Sequence, residues 1–187
     1  MDPKLLFTTC VDQSSEVIRI VKSSQFGWDT PDTEWTVKDL INHMLYELSW
    51  ASDILNGKTI AEVGKKYDGD LVGDSLQKNW SAAEIRAKDA LRRVSLEQKI
   101  HLSYGDFPAE HYIRQEANDQ LIHAWDLGTA IGIKIIFDPA VAEDLYKSTL
   151  PNKTRLAASG LFAPPVPVPE SANTQTKLLA LLGRKST

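Results

Sequence analysis

The sequence predicts an all-α fold, a bundle of helices. Three observations carry that expectation. Long segments repeat apolar residues at helical spacing, capping residues with Pro and Gly bound those segments, and strand-like alternation is almost absent. Across 187 residues, 42% are apolar and 25% charged, the balance of a globular chain with one full core. No repeat and no domain-sized linker interrupts it, so one domain is expected over residues 1–187.

Asp2-Pro3 opens the first helix, Asp as N-cap and Pro in the first turn. Leu6, Cys10, Val17, Ile20 and Val21 then carry a helical pattern towards Ser24. The loop FGWDTPDTEW follows, and its Trp28 and Trp35 are expected to fold back on the core. The second helix has the clearest signal. Thr36 caps it, Asp39 stands in the capping-box position and Trp35 can staple from outside. Val37, Leu40, Ile41, Met44, Leu45, Leu48, Ala51 and Leu55 cover one face. His43 lies just off that face in a stripe with Glu47 and Trp50, and Gly57 ends the run.

Residues 58–74 read as a loop with at most one helical turn. A third helix runs from Ser75 to Val94, burying Leu76, Trp80, Ala83, Ala87, Leu91 and Val94. Residues 95–107 are a connector in which Lys99 to Tyr104 alternates weakly. Pro108 opens the fourth helix and Gly132 closes it, with Ala117, Leu121, Ala124 and Gly128 as a stripe that lets a neighbour pack closely. Asp138-Pro139 starts a fifth helix that ends before Pro151. FAPPVPVPES is too rich in proline for helix or inner strand, so residues 163–171 are expected to be an extended crossover. A terminal helix over 174–182 stops at Gly183.

Net charge is −4 without a Lys/Arg stripe, which argues against a nucleic-acid partner. No apolar run approaches the roughly 20 residues of a membrane helix. The N-terminus lacks the basic start of a secretion signal. Cys10 is the single cysteine, so no intrachain disulfide is available and a reducing, cytoplasmic compartment is expected. Cys10 itself reads as a small core residue.

The chemistry concentrates in DQLIHAWD. Asp119 and His123 are four apart and share a helix face, and Asp126 returns to nearly the same direction. Such a group is either a metal site or an internal polar contact, down to a simple intrahelical ion pair. Bundle sites are built from side chains on facing helices, which makes His43 a natural partner. Two imidazoles and one carboxylate would leave coordination positions open, as catalytic sites do. Asp126 or Glu47 could orient an imidazole from behind, Glu47 is also a rival ligand, and Trp50 would line the pocket wall. His101 and His111 read as surface residues.

EWTVKDLINH and DQLIHAWDLGTAIG, in that order and spacing, resemble the DinB-like superfamily. More closely they are similar to the N-terminal domain of mycothiol-dependent maleylpyruvate isomerase and its single-domain relatives. The ending LFAPPVPVPESANTQTKLLALLGR looks like that of those relatives. The resemblance implies a four-helix bundle with an extra C-terminal helix. It also implies a divalent metal held by His43, Asp119 and His123: zinc first, with nickel or iron as alternatives. Asp119 stands where the isomerase has a glutamate. The isomerase's C-terminal domain, with its active-site arginine, has no counterpart here, so its own activity is not carried over. The implied chemistry is activation of a low-molecular-weight thiol, mycothiol or bacillithiol, or of water, for transfer to or isomerisation of a small electrophile. Members of the superfamily often pair, so a homodimer is a further implied partner. The competing reading is a binding or sensor bundle that keeps the pocket without metal chemistry.

Overall fold

The computed structural model describes residues 1–32, 34–159 and 163–185. Thr33 of the first loop and Phe162 of the proline-dense stretch lie outside the described residues. Two compact units emerge, one over Asp2–Lys134 and one over Ile135–Thr187 with Met1.

The first unit holds α1 (Pro3–Ile20), α2 (Val37–Leu55), α3 (Ile60–Val63), α4 (Leu76–Arg93) and α5 (Ala109–Ala130). The four long helices close a ring: α1 packs on α4 and α5, and α2 packs on the same two. This is the all-α helix bundle that the apolar periodicity predicts, and its four long helices are the DinB-like bundle that the resemblance implies. Phe7, Val11 and Ile18 of α1 meet Leu40, Ile41 and Met44 of α2, Trp80 and Ala87 of α4, and Ile113, Ala117 and Leu121 of α5 in a buried core. Each large aliphatic or aromatic side chain so buried contributes about 1.5–3 kcal/mol. Cys10 belongs to this core.

The helix starts follow their caps. Asp2 accepts from Leu5 N at 2.9 Å, and Thr36 with Asp39 forms a reciprocal box at α2. α1 ends at Ile20, short of Ser24, because Val21 turns extended and a 3-10 turn takes Ser23–Gln25. Trp28 does not fold back on the core: it is 47% exposed, its backbone carbonyl instead receiving Val37 N at 2.8 Å. The one turn within residues 58–74 is α3, capped by Thr59 and Glu62.

Lys99–Leu102 is strand β1, and it pairs antiparallel with β2 (Gly105–Pro108). The partner strand was illegible because GDFP has no alternating pattern, and Ile100 is the one buried residue of β1. His101 is exposed and faces Asp106 at 2.6 Å. His111 departs from a plain surface position, being half-buried and stacked on Phe107 at 4.4 Å.

The second unit contains α6 (Pro139–Thr149), α7 (Lys153–Ser159) and α8 (Thr174–Leu181), with α6 packed on α8. Gln175 ties the start of the unit to α8, accepting from Phe137 N at 3.0 Å and donating to Ile135 O at 2.8 Å. The proline-rich crossover has no regular structure over 163–169, and Val166 N donates to Ala180 O at 2.8 Å. α7 is absent from the sequence reading, which treats Pro151 as a stop. Pro151 sits in the 3-10 turn Leu150–Asn152, at a first-turn position where its missing N–H costs nothing, and helix resumes behind it. No helix among the described residues is long and apolar enough to cross a membrane.

Candidate metal centre

The site lies within the first unit, between α2, α5 and the loop that precedes α2. Thr36 Oγ1 accepts from Asp39 N at 3.3 Å, while Asp39 Oδ2 accepts from Thr36 N at 3.0 Å. That box fixes where α2 begins and hence the direction of His43 two turns on. Gln120 sets the register of the facing helix: its Nε2 donates to Met44 O at 3.1 Å, and its own carbonyl accepts from Ser14 Oγ at 3.0 Å. With α2 and α5 so locked, His43, Asp119 and His123 converge.

One ligand atom from each of these three lies within 4.8 Å of the others. Asp119 Oδ2 is 3.5 Å from His43 Nε2, and Asp119 Oδ1 is 3.4 Å from His123 Nε2. The rings of His43 and His123 meet edge to face, centroids 4.9 Å apart. Trp35 covers both, 4.7 Å from His43 and 5.7 Å from His123. Its loop is pinned by Thr30 Oγ1, which donates to the carbonyls of Asp32 and Trp35 at 2.8 and 2.9 Å.

Asp126 is wholly buried, and its Oδ2 stands 3.1 Å from His123 Nδ1. A carboxylate there favours the tautomer with the proton on Nδ1 and leaves Nε2 free to bind. Burial opposes ionisation of Asp119, but the charge and proximity of His123 and then His43 outweigh it and hold the carboxyl well below the usual range. Burial likewise disfavours a charged His123, and Asp119 with Asp126 overcomes it, raising the imidazole to about 9.

Two atoms of this group test whether a metal fits. His43 Nε2 and Asp119 Oδ2 are buried without a hydrogen-bond partner. Orphaned buried polar atoms are costly, and such atoms call for an explanation. Their separations exceed the roughly 2.7–3.2 Å of a direct hydrogen bond. They match the edge of a tetrahedron, about 3.4 Å, that zinc bonds of about 2.0–2.2 Å imply. Asp119, though shorter than glutamate, reaches both imidazoles. The donor set of two nitrogens and one oxygen suits zinc and its neighbours in the first transition row.

Glu47 and Trp50 continue the His43 stripe along α2, both half-buried. Burial, and then the charge of Asp119, pushes the Glu47 carboxyl up to about 7. Neither residue lines the pocket beside the triad. That pocket, of about 340 Å³, is walled by His43 with Trp35, Asp39, Tyr46, Tyr67 and Asp68. The sequence reading also missed Glu116, which is 2% exposed with Oε2 unpartnered. Burial, and then the charges of Glu47 and Asp119, push its carboxyl well above the usual carboxylate range. Its signal was present in the spacing, since Glu116, Asp119 and His123 follow one helical face.

Residues 7–128 match the family described as the mycothiol maleylpyruvate isomerase N-terminal domain. The chain belongs to that family. Two uncharacterised proteins of Mycobacterium tuberculosis, from strains CDC 1551 / Oshkosh and ATCC 25618 / H37Rv, are each 29% identical over 190 residues, covering 98% of both chains. The crystal structure of the mycothiol-dependent maleylpyruvate isomerase superposes with a TM-score of 0.65 at 17% identity, over 87% of this chain and 72% of that one. A mutant of that isomerase, with one histidine replaced by alanine, gives the same TM-score of 0.65 at 16% identity. At that identity the likeness establishes the isomerase-type fold.

Proposed function

We propose that this protein is a divalent-metal-dependent enzyme that activates a low-molecular-weight thiol for transfer to, or isomerisation of, a small electrophile. The observation that carries the reading is the pair of orphaned buried atoms, His43 Nε2 and Asp119 Oδ2, set at ligand spacing beside His123. His43, Asp119 and His123 would hold the metal, zinc in preference to nickel or iron. When bound, such a metal lowers the pKa of a coordinated thiol or water and so supplies a nucleophile at neutral pH. The chain's own residues do the rest. Asp126 orients His123, Trp35 shields the two imidazoles from water, and the pocket at His43 admits a small molecule. The similarity to a mycothiol-dependent isomerase favours a thiol of the mycothiol type, with bacillithiol as the alternative.

Elemental analysis of untagged protein prepared without chelator tests this reading. About one equivalent of metal per chain is expected, and a His123→Ala variant should lose it. Protein that is metal-free and takes up no added zinc would sink the proposal.

A further inference from the structure

α2 and α5 run antiparallel, because Gln98 ties the end of one to the start of the other. Its Nε2 donates to Leu55 O at 3.4 Å, and its carbonyl accepts from Ala109 N at 2.8 Å. A step forward along α2 and a step back along α5 therefore lead the same way from the metal centre. Glu47 follows His43 by four residues, and Glu116 precedes Asp119 by three. Those steps are roughly 4.5 to 6 Å along a helix axis, and both keep to the face that carries the ligands. Two carboxyls thus share the packed seam between α2 and α5, one turn from His43 and Asp119.

Neither carboxyl has a counter-cation. Glu47 and Glu116 form no ion pair and no hydrogen bond among the described residues, and Glu116 Oε2 is sealed from solvent without a partner. The titratable groups that face them are Asp119, Tyr112 and the imidazoles of His43 and His123. Like charges held together away from water do not both ionise, so such a pair keeps one proton between its members. The carboxyls respond in that sense. Burial and then Asp119 raise Glu47 to about 7, and burial and then Glu47 raise Glu116 further above its ordinary range.

A thiol becomes a strong nucleophile only by shedding its proton. The ligands are committed to the metal through His43 Nε2, His123 Nε2 and the Asp119 carboxylate. Of the other carboxyls beside the site, Asp39 already accepts from Thr36 and Asp126 stands against His123 Nδ1. Glu47 and Glu116 remain.

From this placement we infer that Glu47 and Glu116 form the proton store of the metal centre. The S–H bond of an arriving thiol breaks, its electron pair stays on sulfur, and its proton passes to the Glu47 carboxylate while Glu116 keeps its own. When the sulfur bonds to the electrophile, the electron pair displaced onto the electrophile takes that proton back, and the pair returns to a single proton. The inference rests on the thiol-activating reading and supplies its base.

Proton counting tests it. 2-Mercaptoethanol is titrated into zinc-loaded protein by calorimetry at neutral pH, in two buffers of different ionisation enthalpy, which yields the protons released per thiol bound. The parent is expected to release well under one proton, because the store retains it. Glu47→Gln should release about one per thiol, whereas Glu47→Asp, which keeps a carboxylate, should stay near the parent. Glu47 makes no bond in the fold, so both variants should fold. Disturbed packing alone would alter affinity and leave the count as it is. Release of a full proton by the parent overturns the store, and so does a count unchanged in Glu47→Gln. If 2-mercaptoethanol does not bind, thiol activation fails instead, and infrared spectroscopy decides the pair. A protonated-carboxyl band at neutral pH, lost in Glu116→Gln, supports the shared proton. Its absence from the parent, or its survival in Glu116→Gln, overturns it.

Discussion

His123 Nδ1 and Asp126 Oδ2 face each other at 3.1 Å within α5, with Asp126 sealed from solvent. A charged acceptor behind an imidazole raises its basicity and fixes its rotation. Asp126→Asn keeps the shape and removes the charge. It is expected to weaken zinc binding by about 10–100-fold while stoichiometry is retained. Competition against a chromophoric chelator measures this, and an unchanged affinity would reduce Asp126 to a packing role.

Metal that binds only the folded state raises its stability. At a free zinc concentration 100 times the dissociation constant the gain is about 2.7 kcal/mol. For a chain of this size that corresponds to about 2–4 °C in Tm per kcal/mol. Thermal unfolding of the parent should shift upwards accordingly, and His43→Ala or Asp119→Ala should not respond to zinc.

Asp53 gathers Lys58 at 2.9 Å, Lys66 at 2.7 Å and the Tyr67 hydroxyl at 2.9 Å. Burial acts to raise its pKa, but the three donors outweigh burial and hold the carboxyl below its ordinary value. A depressed folded-state pKa contributes stability above the unfolded value, about 3.9, and that contribution is lost as pH falls through the folded value. Urea midpoints of the parent should therefore drop more steeply below about pH 4 than those of Asp53→Asn. Parallel curves would contradict the tether.

Ala117 is fully buried on α5, the helix against which α1 makes its most extensive packing. Ala117→Leu inserts three carbons where no space exists. A loss of about 1–3 kcal/mol is expected in denaturant unfolding. Because Ala117 is not a ligand, the folded variant should still load metal.

The bundle was legible because each long helix announced itself twice, by apolar period and by its ends. Thr36 with Asp39 placed the start of α2, and that alone aimed His43 at the border of the core. Asp119, His123 and Asp126 were legible from helical spacing, which holds wherever α5 packs. Contributions from loops were not. Trp35 was read as a staple for α2, and only the path pinned by Thr30 lays its indole over two imidazoles. Tyr67 and Asp68 come from a stretch with no periodicity, so nothing in their spacing tied them to His43. Glu47 and Trp50 were correctly phased with His43, yet the pocket is walled by Asp39, Asn42 and Tyr46 of α2 together with loop residues Trp35, Tyr67 and Asp68.

The three bonds converging on Asp53 separate anchoring from lining in the segment between α2 and α4. Lys58, Lys66 and Tyr67 hold the segment down, while Asp68 and Gly69 beside them face the cavity without holding anything in α2 through their side chains. Asp68 can be exchanged without loosening the first kind, whereas Gly69, at φ +98°, is held to glycine by its backbone and accepts from Asn42 Nδ2 at 3.0 Å. The segment is thus a replaceable cassette: across diverging copies of this fold, selectivity can drift in the wall while the ligand-bearing helices stay as they are.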